Sequence, residues 1–433
     1  MTISVFDRLV KIRQIMYLSF DWRKGMFNEK LESLRGVAAL MVAFYHSFLI
    51  FTVDQNRTIW DTAIYDVTGV NSFLTRMALA LFNGSAAVSI FFVLSGYVLG
   101  LSLDRKPRNL ITYHAFYIKR VFRIYPAYFV SMTLIILSII LFHKYIEFPN
   151  TSLWFNWWYT EGISFKYALE NYFLLNTDIN NVAWTLKVEL LISFIFPVIY
   201  LLNRWFGFKM NLLFLLGLII LGYAGPVMPT IQYAFTFYIG LMLPSFLKSQ
   251  YFTTASSFRV NLYFAISLVC LLSGRVFLAK IHGFLPILVE GIASGFLIWI
   301  LLSTEANTFF NRFLKLDLVR KLGKYSYSFY LYHFIVMYWV AYGLLLMIQP
   351  EISAKYPVIL SGLIALISIV ISYFLAIQSY ERVELPMISQ GSLVAEKYTA
   401  ASRRVTGRGL IVLRRLRKKV EGLPLAMALR RSR

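Results

Sequence analysis

Arg35 and His46 bracket ten residues, nine of them apolar or glycine, at the start of the first long hydrophobic stretch. On an α-helix, eleven steps of about 100° return the two side chains to within roughly 20° of one another, about 16 Å apart along the axis. One face of such a helix pairs a permanent cation near a membrane surface with an imidazole about half-way down. Imidazole exchanges a proton near neutral pH, and ionisable groups at that depth face a bundle interior or a wet cavity. A second histidine, His333, follows the hydroxyl-rich run Tyr325-Ser326-Tyr327-Ser328-Phe329-Tyr330-Leu331-Tyr332. Eight residues of rise place it about 12 Å deep. Glu189 lies in Trp184-Thr185-Leu186-Lys187-Val188-Glu189, two turns below the outer surface if its helix descends from outside. Lys119, Arg120 and Arg123 enter a span from the inner side. Arg120 and Arg123, three apart, share a helix face, which suits a phosphate-bearing ligand.

Each residue has a plainer reading. Arg35 alone fits a membrane-edge arginine snorkelling to the surface. Lys187 offers Glu189 a local counter-charge, and the basic residues at 119–123 fit ordinary cytoplasmic enrichment. A lone histidine in a helix is as readily structural. Two histidines at similar depth among phenols and hydroxyls point instead to a polar cavity. His114, His143 and His282 fall in loops and carry no assignment. There is no His-x-x-x-His, acidic cluster or cysteine pair to hold a metal, and no phosphate-binding Gly-rich loop.

The elements that must hold these residues are apolar helices. The 433 residues are 58% hydrophobic and 15% charged, with apolar runs of 17 or more. This composition defines an all-α polytopic membrane protein; alternating ten-residue β-barrel segments are absent. Ten spans are read, near 34–53, 85–103, 124–142, 182–202, 211–224, 230–247, 261–279, 284–303, 325–348 and 357–377. The net charge of +22 could indicate nucleic acid, but its position argues for the membrane. Segments 1–33, 104–123 and 304–324 carry six, six and five Lys or Arg, against two each in 54–84 and 143–181. Both termini are therefore expected inside. Residues 1–33 read as an amphipathic helix on the inner surface, with no cleaved signal peptide. Residues 387–433 read as a basic tail held near anionic lipid. Trp154, Trp157, Trp158 and Tyr159 are placed as an outer interfacial belt would be. The single Cys270 excludes an intrachain disulfide.

Five motifs resemble the membrane-bound acyltransferase-3 family. They are Leu34-Arg35-Gly36-Val37-Ala38-Ala39 with His46; Phe91-Phe92-Val93-Leu94-Ser95-Gly96-Tyr97; Lys119-Arg120 with Arg123-Ile124-Tyr125-Pro126; Trp184-Thr185-Leu186 with Glu189; and Tyr325-Ser326-Tyr327 with Leu331 and His333. They occur in the family's order over about residues 31–386, with Glu384-Leu385-Pro386 resembling its Glu-x-Pro ending. The resemblance implies a ten-helix domain over 34–386, without an appended hydrolase-like domain, in a bacterial inner membrane. It implies transfer of an acyl group, commonly acetyl, from cytoplasmic acetyl-coenzyme A to a hydroxyl of a cell-surface or exported glycan. Arg35 and His46 would be essential for transfer. Lys119, Arg120, Arg123, Ser95 and Tyr97 would meet the donor, with Glu189 and His333 catalytic in less settled roles. Trp184 and Glu189 would face the sugar. In this geometry the donor's phosphates meet Arg35, Arg120 and Arg123, and its pantetheine arm carries the thioester to His46 as base. No metal is required. Two other readings fit the same residues: a transporter or flippase for a lipid-linked glycan or acyl carrier, with His and Glu relaying protons, and transfer of succinyl or a longer acyl group.

Overall fold

The computed structural model describes residues 29–104, 106–247, 256–278, 282–303 and 308–402. The described residues form an α-helical bundle. Its longer helices are α1 (Glu29–Ser47), α2 (Val70–Leu81), α3 (Gly84–Asp104), α4 (Leu110–Phe142), α5 (Ala183–Trp205) and α6 (Phe208–Ala224). They continue with α7 (Pro229–Leu247), α8 (Ser257–Leu278), α9 (Phe284–Ser303), α10 (Ser326–Met347) and α11 (Pro357–Ser379). Among the described residues, eight helical stretches are long and apolar enough to cross a membrane. The other two expected spans also form helices: α1 is not among the eight, and α6 is 17 residues long.

Side-chain distribution follows from lipid on the outside and backbone contact on the inside. Phe194, Val198, Leu213, Ile220, Ile359 and Phe374 point outward and are exposed, while small and polar groups such as Ala38, Ala39, Ser89 and Thr236 are buried. In lipid, helices associate by close packing of small residues. A Cβ on Gly96 would strike the Phe237 carbonyl, and one on Gly240 would strike the Val93 carbonyl. The α3–α7 crossing thus needs both glycines. Gly36 serves the same purpose on α1, where a Cβ would run into the backbone of Leu322 and Gly323 in the short helix Asp317–Lys324.

Four boundaries differ from the sequence expectation. Helix α1 is already helical at the first described residue, Glu29, rather than from 34. It ends at Ser47, and residues 48–53 then form an irregular buried segment. That segment is tied to 150–152 by Thr52 N–H to Asn150 C=O (2.9 Å) and Ser152 N–H to Ile50 C=O (2.8 Å). Helix α4 is 33 residues long and starts at Leu110, so Lys119, Arg120 and Arg123 lie within it. Asn109 caps it by accepting from the Thr112 N–H (2.9 Å). Helix α11 passes through a π-helical segment, Tyr380–Glu384, and continues helical to residue 402. The surface helix expected over 1–33 falls mostly, and the tail from 403 entirely, outside the described residues.

Segment 143–181 is partly helical, with short helices Leu153–Asn156 and Phe165–Tyr172. Its tryptophans are not one belt. Trp157 is 74% exposed, but Trp158 is 8% exposed and Trp154 turns inward.

Candidate active site

His46 occupies the last turn of α1, and His333 lies two turns into α10. The two rings are nearly parallel, their centroids 5.3 Å apart at 5°. His46 Nδ1 is 3.1 Å from His333 Nε2. His333 Nδ1 is 2.9 Å from the Tyr330 carbonyl oxygen. A carbonyl only accepts, so His333 carries its proton on Nδ1. With both rings neutral, His333 Nε2 accepts from His46 Nδ1–H, and the lone pair of His46 rests on Nε2. That nitrogen faces the side-chain amide of Asn181 at 3.4 Å. The pair is walled by Trp154, stacked on His46 (5.6 Å, 21°), and by the edge of Phe334 (5.9 Å, 79°). The C-terminal turn of a helix favours positive charge, so α1 stabilises an imidazolium formed on His46.

A second cluster lies toward the other end of α1. Arg120 reaches Glu189 at 2.5 Å and donates to Ser193 Oγ at 3.0 Å. Ser95 Oγ donates to the same Glu189 oxygen at 2.9 Å. Arg123 pairs with Glu384 at 2.8 Å and lies over the Tyr327 ring, and Ser328 Oγ donates to the other Glu384 oxygen at 2.7 Å. The π-helical segment ends on Glu384, turning that carboxylate inward to 2% exposure; such bulges recur at functional sites. Arg35 sits within electrostatic reach of Glu189, Glu384, Arg123 and Glu32. It is half-buried and makes no hydrogen bond or ion pair among the described residues. Between the clusters, the Thr185 and Tyr330 hydroxyls meet at 3.1 Å. Tyr330 thus offers its carbonyl to His333 and its hydroxyl to Thr185.

The structure therefore brings Arg35, Arg120, Arg123, Glu189 and Ser95 together, and separately joins His46 to His333. Glu189 pairs with Arg120 on α4, and Lys187, its neighbour in the chain, donates to the Leu175 carbonyl at 2.6 Å. Trp184 packs against Phe92 and Tyr233, between α3 and α7. Tyr97 is buried in the core, and Lys119 is half-buried on α4. Among the described residues, no three His, Cys, Asp or Glu gather in metal-binding range. The remaining histidines have local partners: Tyr398 for His114, Tyr338 for His143, and the Phe284 N–H for His282.

Asn181, Trp154 and Glu384 were not singled out as site residues by sequence. Asn181 and Trp154 lie in or beside the irregular segment 143–181 and have no periodic signature. Glu384 carried one signal, its place in the Glu-x-Pro ending.

A helical membrane bundle with a histidine pair under an aromatic cover and an arginine–carboxylate cluster on the same helix defines an integral membrane protein with a buried proton acceptor. A family model described as an acyltransferase domain matches residues 28–377. The chain belongs to the acyltransferase-3 family and is a membrane acyltransferase. No curated protein and no solved structure matches it.

Proposed function

We propose that the protein transfers an acyl group, acetyl in the first instance, from acyl-coenzyme A on the cytoplasmic side to a hydroxyl of a cell-surface or exported glycan, with His46 as general base. The membrane would be a bacterial inner membrane with both termini cytoplasmic, as the Lys and Arg distribution favours. The observation that carries the reading is the hydrogen-bond order Tyr330 carbonyl, His333, His46. Of the two unprotonated nitrogens, His333 Nε2 is taken up inside the pair, and His46 Nε2 is left facing a side-chain amide.

In this mechanism the acceptor hydroxyl takes the place of the Asn181 amide against Nε2. Its proton moves to His46 as its oxygen bonds to the thioester carbonyl carbon. The tetrahedral adduct collapses, the carbon–sulfur bond breaks, and the departing thiolate recovers the proton from His46. Base catalysis of this kind contributes typically about 10²–10⁴-fold. His333 fixes the tautomer and shares the charge, and Trp154 shields it from water. Asn181, once displaced from Nε2, is placed to donate to the developing oxyanion.

Arg35 is the cation available to the donor phosphates, since Arg120 and Arg123 are already engaged by Glu189 and Glu384. Lys119 adds charge at the same mouth, and Ser95 holds Glu189. The roughly 16 Å rise from Arg35 to His46 matches about half the ~30 Å hydrocarbon thickness, a span for an extended pantetheine arm. Transfer to the glycan is tested by incubating the full-length protein with acetyl-coenzyme A and reading free thiol with and without surface glycan. Glycan-dependent thiol is expected. Glycan moved across the bilayer with no thiol would establish a transporter instead. Succinyl-coenzyme A in parallel reads acyl preference.

A further inference from the structure

A third charged cluster lies near the far ends of α8 and α9 and the start of α3, apart from the site above. Glu290, on α9, is fully buried. It accepts from Asn83 Nδ2 on one oxygen and from Ser85 Oγ on the other, both at 2.7 Å. Arg275 donates to Ser85 Oγ at 2.8 Å and approaches Glu290 at 3.9 Å. Ser85 has a single proton, and Glu290 takes it. The hydroxyl therefore accepts from Arg275 and from Tyr233, 3.2 Å away. Glu290 receives two donors and faces one guanidinium, so it is a carboxylate with its charge met.

Arg76 has no such match. It projects from α2, whose Val70, Phe73, Leu74, Met77 and Leu81 are exposed, and it is itself only 2% exposed. Among the described residues its one bond is to the Arg275 carbonyl oxygen at 3.2 Å. Among the described residues the Nε–H groups of Arg76 and Arg275 are both buried with no acceptor in hydrogen-bond range, that of Arg275 standing 3.9 Å from Glu290. Asp61, within electrostatic reach of both, is exposed and makes no ion pair with either. Two guanidinia thus accompany one carboxylate, which Arg275 approaches at 3.9 Å and Arg76 does not contact, and the Arg76 Nε–H points at no acceptor. Buried polar groups in native proteins find partners, and guanidinium forks suit carboxylate and phosphate.

We propose that Arg76 and Arg275 bind an anionic group, a carboxylate or a phosphate, carried by the acceptor. Tyr45, next in sequence to His46, lies within electrostatic reach of Arg76, Arg275 and Glu290. The Tyr233 hydroxyl lies within reach of Tyr330, whose carbonyl holds His333. The site thus adjoins the proposed base on the side away from the donor cluster. It selects an acidic acceptor over a neutral one. The assignment to the acceptor rests on the acyl-transfer reading; the anion site itself does not.

The test uses the full-length protein in phosphatidylcholine nanodiscs with coenzyme A saturating, so that the Arg35 cluster is not what responds. Melting temperature is read with sodium glucuronate, inorganic phosphate or glucose. Glucuronate or phosphate should raise it by several degrees and glucose should not. Arg76→Gln should abolish that rise while the response to coenzyme A persists, and Arg76→Lys should weaken it at least tenfold in anion concentration. If Arg76→Gln does not fold, the Arg76→Lys shift decides. No rise in the wild type, or a rise unchanged in the Arg76 variants, overturns the site. Loss of the soluble-anion response in phosphatidylglycerol discs overturns the acceptor assignment in favour of a lipid headgroup. His46→Ala should keep the anion response while losing transfer, so failure of the base and failure of this site are separately visible.

Discussion

The two charged clusters resemble each other in composition and differ in how their charge is held. At the Arg35 end, Arg120 and Arg123 each close on a carboxylate, and Arg35 is left half-buried and unpaired. At the Glu290 end, Arg275 takes the carboxylate and Arg76 is left, but it is buried to 2%. Both leave one guanidinium over. The half-buried surplus can greet a ligand from bulk water, while the buried one is satisfied only when a group comes to it. Between them lies a pair of neutral-capable histidines, the part of the interior able to move a proton.

Breaking the clusters should separate stability from function. The largest stability effect is expected from Glu290→Ala, which leaves Arg275 and Arg76 facing each other without a carboxylate. Removing one partner of a buried pair costs about 3–5 kcal/mol, read as a lowered denaturant midpoint in detergent. A loss under about 1 kcal/mol would mean that water already serves the cluster. Arg35→Gln should show the opposite pattern. With no pair to lose, its stability stays within about 0.5 kcal/mol, while the KM for acyl-coenzyme A rises. Loss of a charged hydrogen bond is worth about 1.5–3 kcal/mol, or roughly 10–150-fold. An unchanged KM would reduce Arg35 to a membrane anchor.

Much of this was legible in sequence, and the illegible parts share a cause. Apolar runs disclosed the bundle, and helical periodicity alone put Arg35 and His46 on one face of α1. The length of α4 was hidden because Lys119, Arg120 and Arg123 look like loop charges until their carboxylate partners, 69 and 261 residues away for Arg120 and Arg123, are known. The counter-charge of Glu189 was hidden for the same reason: its neighbour in the chain is Lys187, but its neighbour in space is Arg120. Trp154 has the look of an interfacial belt residue, and only the tie between 48–53 and 150–152 explains why it stacks on His46. Arg275 and Glu290 did carry a signal, being ionisable residues inside apolar runs.

Smaller changes sharpen the contrast. Gly96→Ala pushes a methyl into the Phe237 carbonyl; overpacking of this kind costs about 1–3 kcal/mol. It should lower thermal stability and disturb Ser95 and Glu189 without touching the response at Arg76. Asn109→Ala removes the cap on α4, costing about 1 kcal/mol. Hydrogen exchange should rise over the first turns of α4, and the Glu290 end should not change.

The central claim is that His46 Nε2 takes the acceptor's proton, and glycan-dependent thiol release from acetyl-coenzyme A tests it most directly. His46→Ala, with unchanged coenzyme A binding and melting temperature, should lose about 10²–10⁴-fold. His333→Ala should fall in the same direction, because it frees the wrong tautomer. Wild-type rates from a folded His46→Ala protein would contradict the account.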